Sequence, residues 1–291
     1  MPGEDVRIRV RNRVRFFAKK FVEGLFVIDD HEIPDSLLET LKTREDLRTL
    51  PVSWACMTNA FIAPTGSTEQ HNEHLAMIHD TASVTLVAQQ AALLLYPEVM
   101  VATPVSVGIS PHWMDRKGTL SLREETFLAV VFDICESLKT HGVKTILILN
   151  GHGGNVKPLS QNLAEFRRKL GINLRFHSYW DGYTPEIVRQ HLQSGKAPGH
   201  AAEFETSFAM AAFPERVHWE GVDYEKAKAV LHIKDPESAR QEEQFAREAR
   251  LATTAKGEAM IAIAVSWTAR RLREMIESMK KFGATEKDDK K

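Results

Sequence analysis

From Asn59 onward the chain repeats one unit: a short apolar run, a polar or glycine-containing turn, then a segment with helical periodicity. Strands that return to a sheet after a helix pair in parallel, and the helices must cover its faces. The alternation predicts an α/β fold with a mainly parallel central sheet. Expected strands are Ala60 to Ala63, Val99 to Thr103, Val143 to Leu149 and Asn173 to Ser178. Expected helices are Ala82 to Leu95, Arg123 to His141, Pro158 to Leu170, Thr184 to Ser194 and His200 to about Ala212, with long helical patterns over Gln241 to Lys281.

In open α/β sheets ligands bind beyond the carboxyl ends of the strands, and the chemistry-bearing residues collect there. The run APTGSTEQHNEHLAMIHDT, Ala63 to Thr81, holds Glu69, His71, Glu73, His74, His79 and Asp80. Alone it fits a polar helix N-terminus capped by Ser67, Thr68 and Glu69 equally well. Two further turns shift the balance: Leu149-Asn-Gly-His-Gly-Gly-Asn155 sets His152 at the end of the clearest strand, and the stretch Gly199 to Ser207 adds His200, Glu203 and Glu205. Imidazole with carboxylate suits zinc, manganese or iron, whereas all-oxygen sets suit calcium or magnesium. With His200 opening a helix, His200 and Glu203 share a face and Glu205 lies on another, so the two glutamates are not expected to serve one site equally.

Other chemistries are poorly supported. Gly151-His-Gly-Gly-Asn155 lacks the third glycine of a dinucleotide turn and no Walker lysine follows. There is no G-x-S-x-G elbow, and a carboxylate pair of the glycosidase kind would not need three histidines. Cys56 and Cys135 stand in apolar surroundings, as buried thiols of a reducing cytoplasm. Acidic and basic residues nearly cancel, 39 against 38 over 291 residues, so no nucleic-acid partner is expected. No apolar run reaches the ~20 residues of a membrane span, and no signal peptide opens the chain. A cytoplasmic protein with no membrane partner is the expectation.

The three segments S-T-E-Q-H…H-D-T, N-G-H-G-G-N and H-A-A-E-F-E-T-S, in this order over roughly Asn59 to Thr268, resemble the creatininase (creatinine amidohydrolase) family. The resemblance implies a three-layer α/β/α sandwich and a centre of two divalent metal ions, zinc or manganese and sometimes iron. Carried over by motif position, Glu69 and His152 hold one ion, His71 and Glu205 the other, and Asp80 bridges them. Glu69 and His200 are the implied catalytic residues, His200 as proton donor or acceptor. Trp180, Gly153, Gly154 and Thr119 fall on the substrate side.

The implied reaction is hydrolysis of a C–N bond, an amide and more specifically a cyclic one, in a small polar substrate, by a water activated between the metals. Hydrolysis of a cyclic ketone or keto-sugar at the same centre is the enzymatic rival. A binding or assembly protein with a degenerate site is the non-enzymatic one. Creatininase has a carboxylate where this chain has Gly154 and a tryptophan where it has Lys196. The F-P-G-T loop of relatives reads Arg116-Lys117-Gly118-Thr119, and Asn72-Glu73 replaces Gly-Pro. These departures argue against creatinine and towards something more polar or anionic. A homo-oligomer, hexameric in many relatives, is also implied. Residues 1–52 are expected to be an extension packed on a main domain over 53–282, and 283–291 a disordered charged tail.

Overall fold

Four short runs pair into one parallel sheet in the computed structural model, which describes residues 58, 60–225, 228, 233 and 235–288. They are β1 (Ala60–Thr65), β2 (Val99–Val101), β3 (Thr145–Asn150) and β4 (Asn173–Ser178), in the order β2-β1-β3-β4. All three pairings are parallel, with Ile62 opposite both Val101 and Leu147, and Ile148 opposite Phe176. β1 and β3 are central and buried along their whole length, which is why their sequences run AFIAPT and TILILN without polar alternation. Pro64 stands within β1, where its missing N–H costs a ladder bond, but its carbonyl still accepts from Val105 N at 2.9 Å.

Alternate residues of the strands serve two helical layers. Phe61, Ile146, Ile148 and Leu174 meet Phe127 and Val131 of α2 (Glu124–Thr140) and Leu159 and Phe166 of α3 (Val156–Leu170). Each such fully buried side chain contributes roughly 1.5–3 kcal/mol. Against the sheet's other face lie α1 (His79–Leu93) and α7 (Thr254–Asp288), with α4 (Pro185–His191), α5 (Glu203–Ala212) and α6 (Pro236–Ala249) filling in behind; α7 packs on α5, α1 and β3. The result is the expected three-layer α/β/α sandwich. α3 ends as its sequence demands, with Gly171 left-handed at φ 64° and Arg167, Arg168 and Lys169 in the last turn.

Two helix expectations need correction. The pattern over Gln241 to Lys281 is two helices: α6 opens at Pro236, capped by Asp235 accepting from Ser238 N at 2.7 Å, and the chain breaks before Thr254. The helix expected from His200 begins at Glu203, because Ala201 sits at φ 47° and Ala202 is extended. His200 is therefore on a loop, and its helical spacing to Glu203 does not apply. Among the described residues no helix is long and apolar enough to cross a membrane. α7 runs to Asp288; the expectations for residues 1–52, Cys56 and 289–291 lie outside the described residues.

Candidate metal centre

The carboxyl ends of β1 and β3 deliver the site. The loop after β1 carries Glu69 and His71 and returns into the first turn of α1 with Asp80; the loop after β3 carries His152; α5 supplies Glu205 from its first turn. Gly151 permits the approach, since a Cβ there would lie 2.6 Å from the Asp80 carbonyl oxygen. The two asparagines of N-G-H-G-G-N brace these loops. Asn150 bonds both backbone groups of His152, donating to its carbonyl at 2.7 Å and accepting its N–H at 3.2 Å. Asn155 donates to Gly66 O and accepts from Ile109 N, both at 3.0 Å.

Asp80 sits between the two histidines. Its Oδ1 lies 3.0 Å from His71 Nε2 and its Oδ2 2.9 Å from His152 Nδ1. Glu205 Oε2 is 3.6 Å from His71 Nε2, and Glu69 Oε1 is 3.5 Å from His152 Nδ1. Bonds of about 2.1 Å to a tetrahedral ion put neighbouring ligand atoms about 3.4 Å apart, so both pairs have the spacing of shared ligands. Asp80 Oδ2 is near His152 Nδ1 yet out of line for a hydrogen bond, and Glu69 Oε2 is likewise buried without a partner. Groups that aim past one another at a common point behave this way.

The far nitrogens support the same reading. His71 Nδ1 bonds the Glu69 carbonyl at 3.1 Å, and His152 Nε2 bonds the Ile109 carbonyl at 3.0 Å. A carbonyl only accepts, so each ring carries a proton on the far nitrogen, and the near nitrogen, which in His71 bonds Asp80 Oδ1, is the one that would present a lone pair to a metal once its own proton is displaced. Among the described residues, the ion-pair partners of Glu69, Asp80 and Glu205 are histidines only. Three buried carboxylates thus lack positive charge, and protons make it up. Burial opposes the charged form of His71, but Asp80, Glu205 and Glu69 override it and raise its pKa to about 10. Burial raises Glu205 to about 8, and raises Glu69 as well. Against burial, His71 and His152 hold Asp80 well below the carboxylate range. Two divalent cations would displace these protons and balance the charge.

Above the cluster opens a cleft of about 410 Å³. Gly153, Gly154, Trp180 and His200, all expected at the site, line it, together with His112 and Trp113. His200 stacks on Trp113 with centroids 4.4 Å apart, and Phe245 meets it edge-on. Its Nε2 is 2.8 Å from Gln70 Nε2. Asn72 N donates to Gln70 Oε1 at 3.0 Å and Gln70 Nε2 donates to Glu242 Oε1 at 3.3 Å, which fixes the amide as the donor to His200. The His200 proton then resides on Nδ1, 3.7 Å from Glu69 Oε1. Burial pushes the His200 pKa well below its ordinary value. Burial also raises Glu242, to about 7, with Arg116 pulling it down.

Thr119 is not on the cleft wall. Its hydroxyl accepts Gln70 N–H at 3.1 Å and supports the ligand loop from behind. His79 and His74 do not join the centre: His79 bonds Ser83 Oγ at 3.3 Å and His74 bonds Thr206 Oγ1 at 3.0 Å, and burial drops their pKa values to about 3 and about 4. Glu203, left open by sequence, is fully buried away from the site, accepting Gln193 N at 3.0 Å, Ser194 N at 2.6 Å and the Lys256 ammonium. His112, in the turn Pro111–Trp113, lies in none of the three motifs.

Comparisons with known proteins place the chain in a family. A family model described as creatininase, creatinine amidohydrolase, matches residues 53–272. A 3-dehydro-scyllo-inosose hydrolase of Thermotoga maritima is 32% identical over 167 residues, 55% of this chain and 52% of the relative. A mycofactocin precursor peptide peptidase of Mycobacterium ulcerans is 29% identical over 125 residues, 40% and 48% of the two chains. A creatinine amidohydrolase of Pseudomonas putida is 30% identical over 170 residues, 53% and 64%. The matches thus span about half to two thirds of the relatives' lengths. In fold, a creatininase variant complexed with creatine superposes with TM-score 0.65 at 23% identity over 78% of this chain and 97% of its own. Creatininases of the same fold are known in a zinc–zinc and a manganese form.

Proposed function

Because the chain belongs to the creatininase family, we propose that it is a hydrolase whose Glu69 and His152 hold one divalent ion, His71 and Glu205 a second, and Asp80 both. The observation that carries this is Asp80 facing two histidines whose far nitrogens are tied to backbone carbonyls. Zinc and manganese suit the donor set, and both occur in creatininase structures. Such ions acidify water and polarise a carbonyl.

The chain's own residues do the rest. Glu69 Oε1 lies between His152 and His200, within reach of a proton taken from water. His200, with its proton on Nδ1 and Trp113 flat against it, is set to donate to a leaving atom in the cleft. No lysine or arginine lines the cleft among the described residues, so nothing there recognises an anion except the bound ions themselves. The walls His112, Trp113 and Trp180 suit a small, flat, neutral polar ring. A cyclic amide is the proposed substrate class.

A second reading, a cyclic ketone or keto-sugar, is favoured by the similarity to an inosose hydrolase. Product analysis separates the two, since only amide hydrolysis exposes an amine. We further propose a homo-oligomer, to be checked by light scattering. The test of the main reading is elemental analysis of the chain and of Asp80→Asn. Two equivalents of metal, lost in the variant, are expected; no stoichiometric metal after reconstitution refutes the two-ion centre.

A further inference from the structure

The two ion positions are equal in donor count but not in surroundings. The position of His71, Glu205 and Asp80 meets the cleft through Glu205 and Asp80 with His71 fully buried behind them, whereas Glu69, His152 and Asp80 all line the cleft. Residue 154, beside it, carries no donor. No side chain fits there either, since a Cβ at Gly154 would lie 2.0 Å from Ile109 O and 2.6 Å from His152 Nε2. The segment that fills this space, Ile109 to Trp113, is the one that brings His112.

We infer that His112 is a further ligand of the Glu69–His152 ion, an assignment that rests on the two-ion reading above. Each of Glu69, His112 and His152 offers one donor atom, and the three atoms lie within 4.8 Å of one another. The His112 ring is nearly parallel to that of His152, centroids 6.0 Å apart at 5°. Its ring meets those of His152 and Trp113, and the residue is otherwise exposed. Its backbone is well held: Pro111 opens the turn, Ile109 N is fixed by Asn155, and Ser110 N by Ser121 Oγ at 2.9 Å. A fourth protein donor, coming from the cleft wall, would tie the loop that carries it to metal loading.

The experiment is zinc and cobalt(II) titration of the full chain in competition with a chelator, for wild type, His112→Ala, His112→Asp and His112→Phe. The expected result is two equivalents in wild type. In His112→Ala one equivalent weakens by about 100-fold or more, beyond the loss typical of a residue supporting a ligand, and the other is unchanged. Asp restores part of the loss because it supplies a donor. Phe, which keeps the stacking on His152 without a donor, does not. The cobalt absorption of the weakened site changes in Ala and Phe alike. Equal affinities in wild type and Phe overturn the assignment while leaving the two-ion centre standing. Fewer than two equivalents in wild type refutes that centre, and this assignment with it.

Discussion

Replacing Gly154 by alanine tests how the centre is held. The added Cβ would stand 2.0 Å from a backbone oxygen, Ile109 O, and that oxygen is the acceptor that orients His152 at 3.0 Å. Ordinary contact is about 3.4 Å or more, so the loop must retreat by over an ångström, and it carries no flexible tip to swing aside. Overpacking of this kind costs about 1–3 kcal/mol, and the weakened hydrogen bond about 1 kcal/mol more. A loss of about 2–4 kcal/mol lowers the Tm of a domain this size by roughly 5–15 °C. A freed imidazole also loses ligand alignment, worth about 10–100-fold in metal affinity. Gly153 supplies the control, because a Cβ there meets nothing within 4 Å. Gly153→Ala is expected to stay within about 0.5 kcal/mol of wild type. Thermal melts with and without metal, and chelator competition, read both effects. If the two alanine variants behave alike, the account of Ile109 as the clamp on His152 is wrong.

The glutamates of α5 should separate by function: Glu203→Gln loses about 2 kcal/mol of stability through its charged hydrogen bonds but retains two metal equivalents by elemental analysis, whereas Glu205→Gln retains one; metal loss in Glu203→Gln would contradict the geometry. The metal-free chain should lose stability as pH rises. Glu205, raised from 4.5 to about 8, and His71, raised from 6.5 to about 10, both bind protons when folded that the unfolded chain has released. That gain is fully present below the unfolded values and is lost through the window between about pH 5 and 10. Bound metal replaces the protons, so its contribution grows over the same window. Melts of chelator-treated protein whose Tm climbs from pH 6 to pH 9 would sink this reasoning.

Glu69, His71, Asp80, His152 and Glu205 were named through the family's motifs; the residues alone offered Glu73, His74, His79 and Glu203 as well, and the structure is what brings the five together. The alternation also identified β3 and the helix stop at Gly171 correctly, since a buried run and a left-handed glycine are decided by nearby residues. The start of α5 was not legible. Ala201 adopts a left-handed conformation without a glycine to signal it, in a turn where Glu205 accepts Ala201 N–H at 2.6 Å. Thr119 was assigned to the substrate side through its motif, and instead supports Gln70.

The sequence by itself determined the layers and the donor chemistry, because hydrophobic periodicity and ligand type are properties of short stretches. Only the tertiary structure decided which donors converge. Gln70 meets Glu242 from 172 residues away, and Ile109 reaches His152 from a loop 43 residues earlier. Contacts of that separation are set by how the layers close, so the orientation of His200, the exclusion of Glu203 and the place of His112 could not be read before the chain was folded.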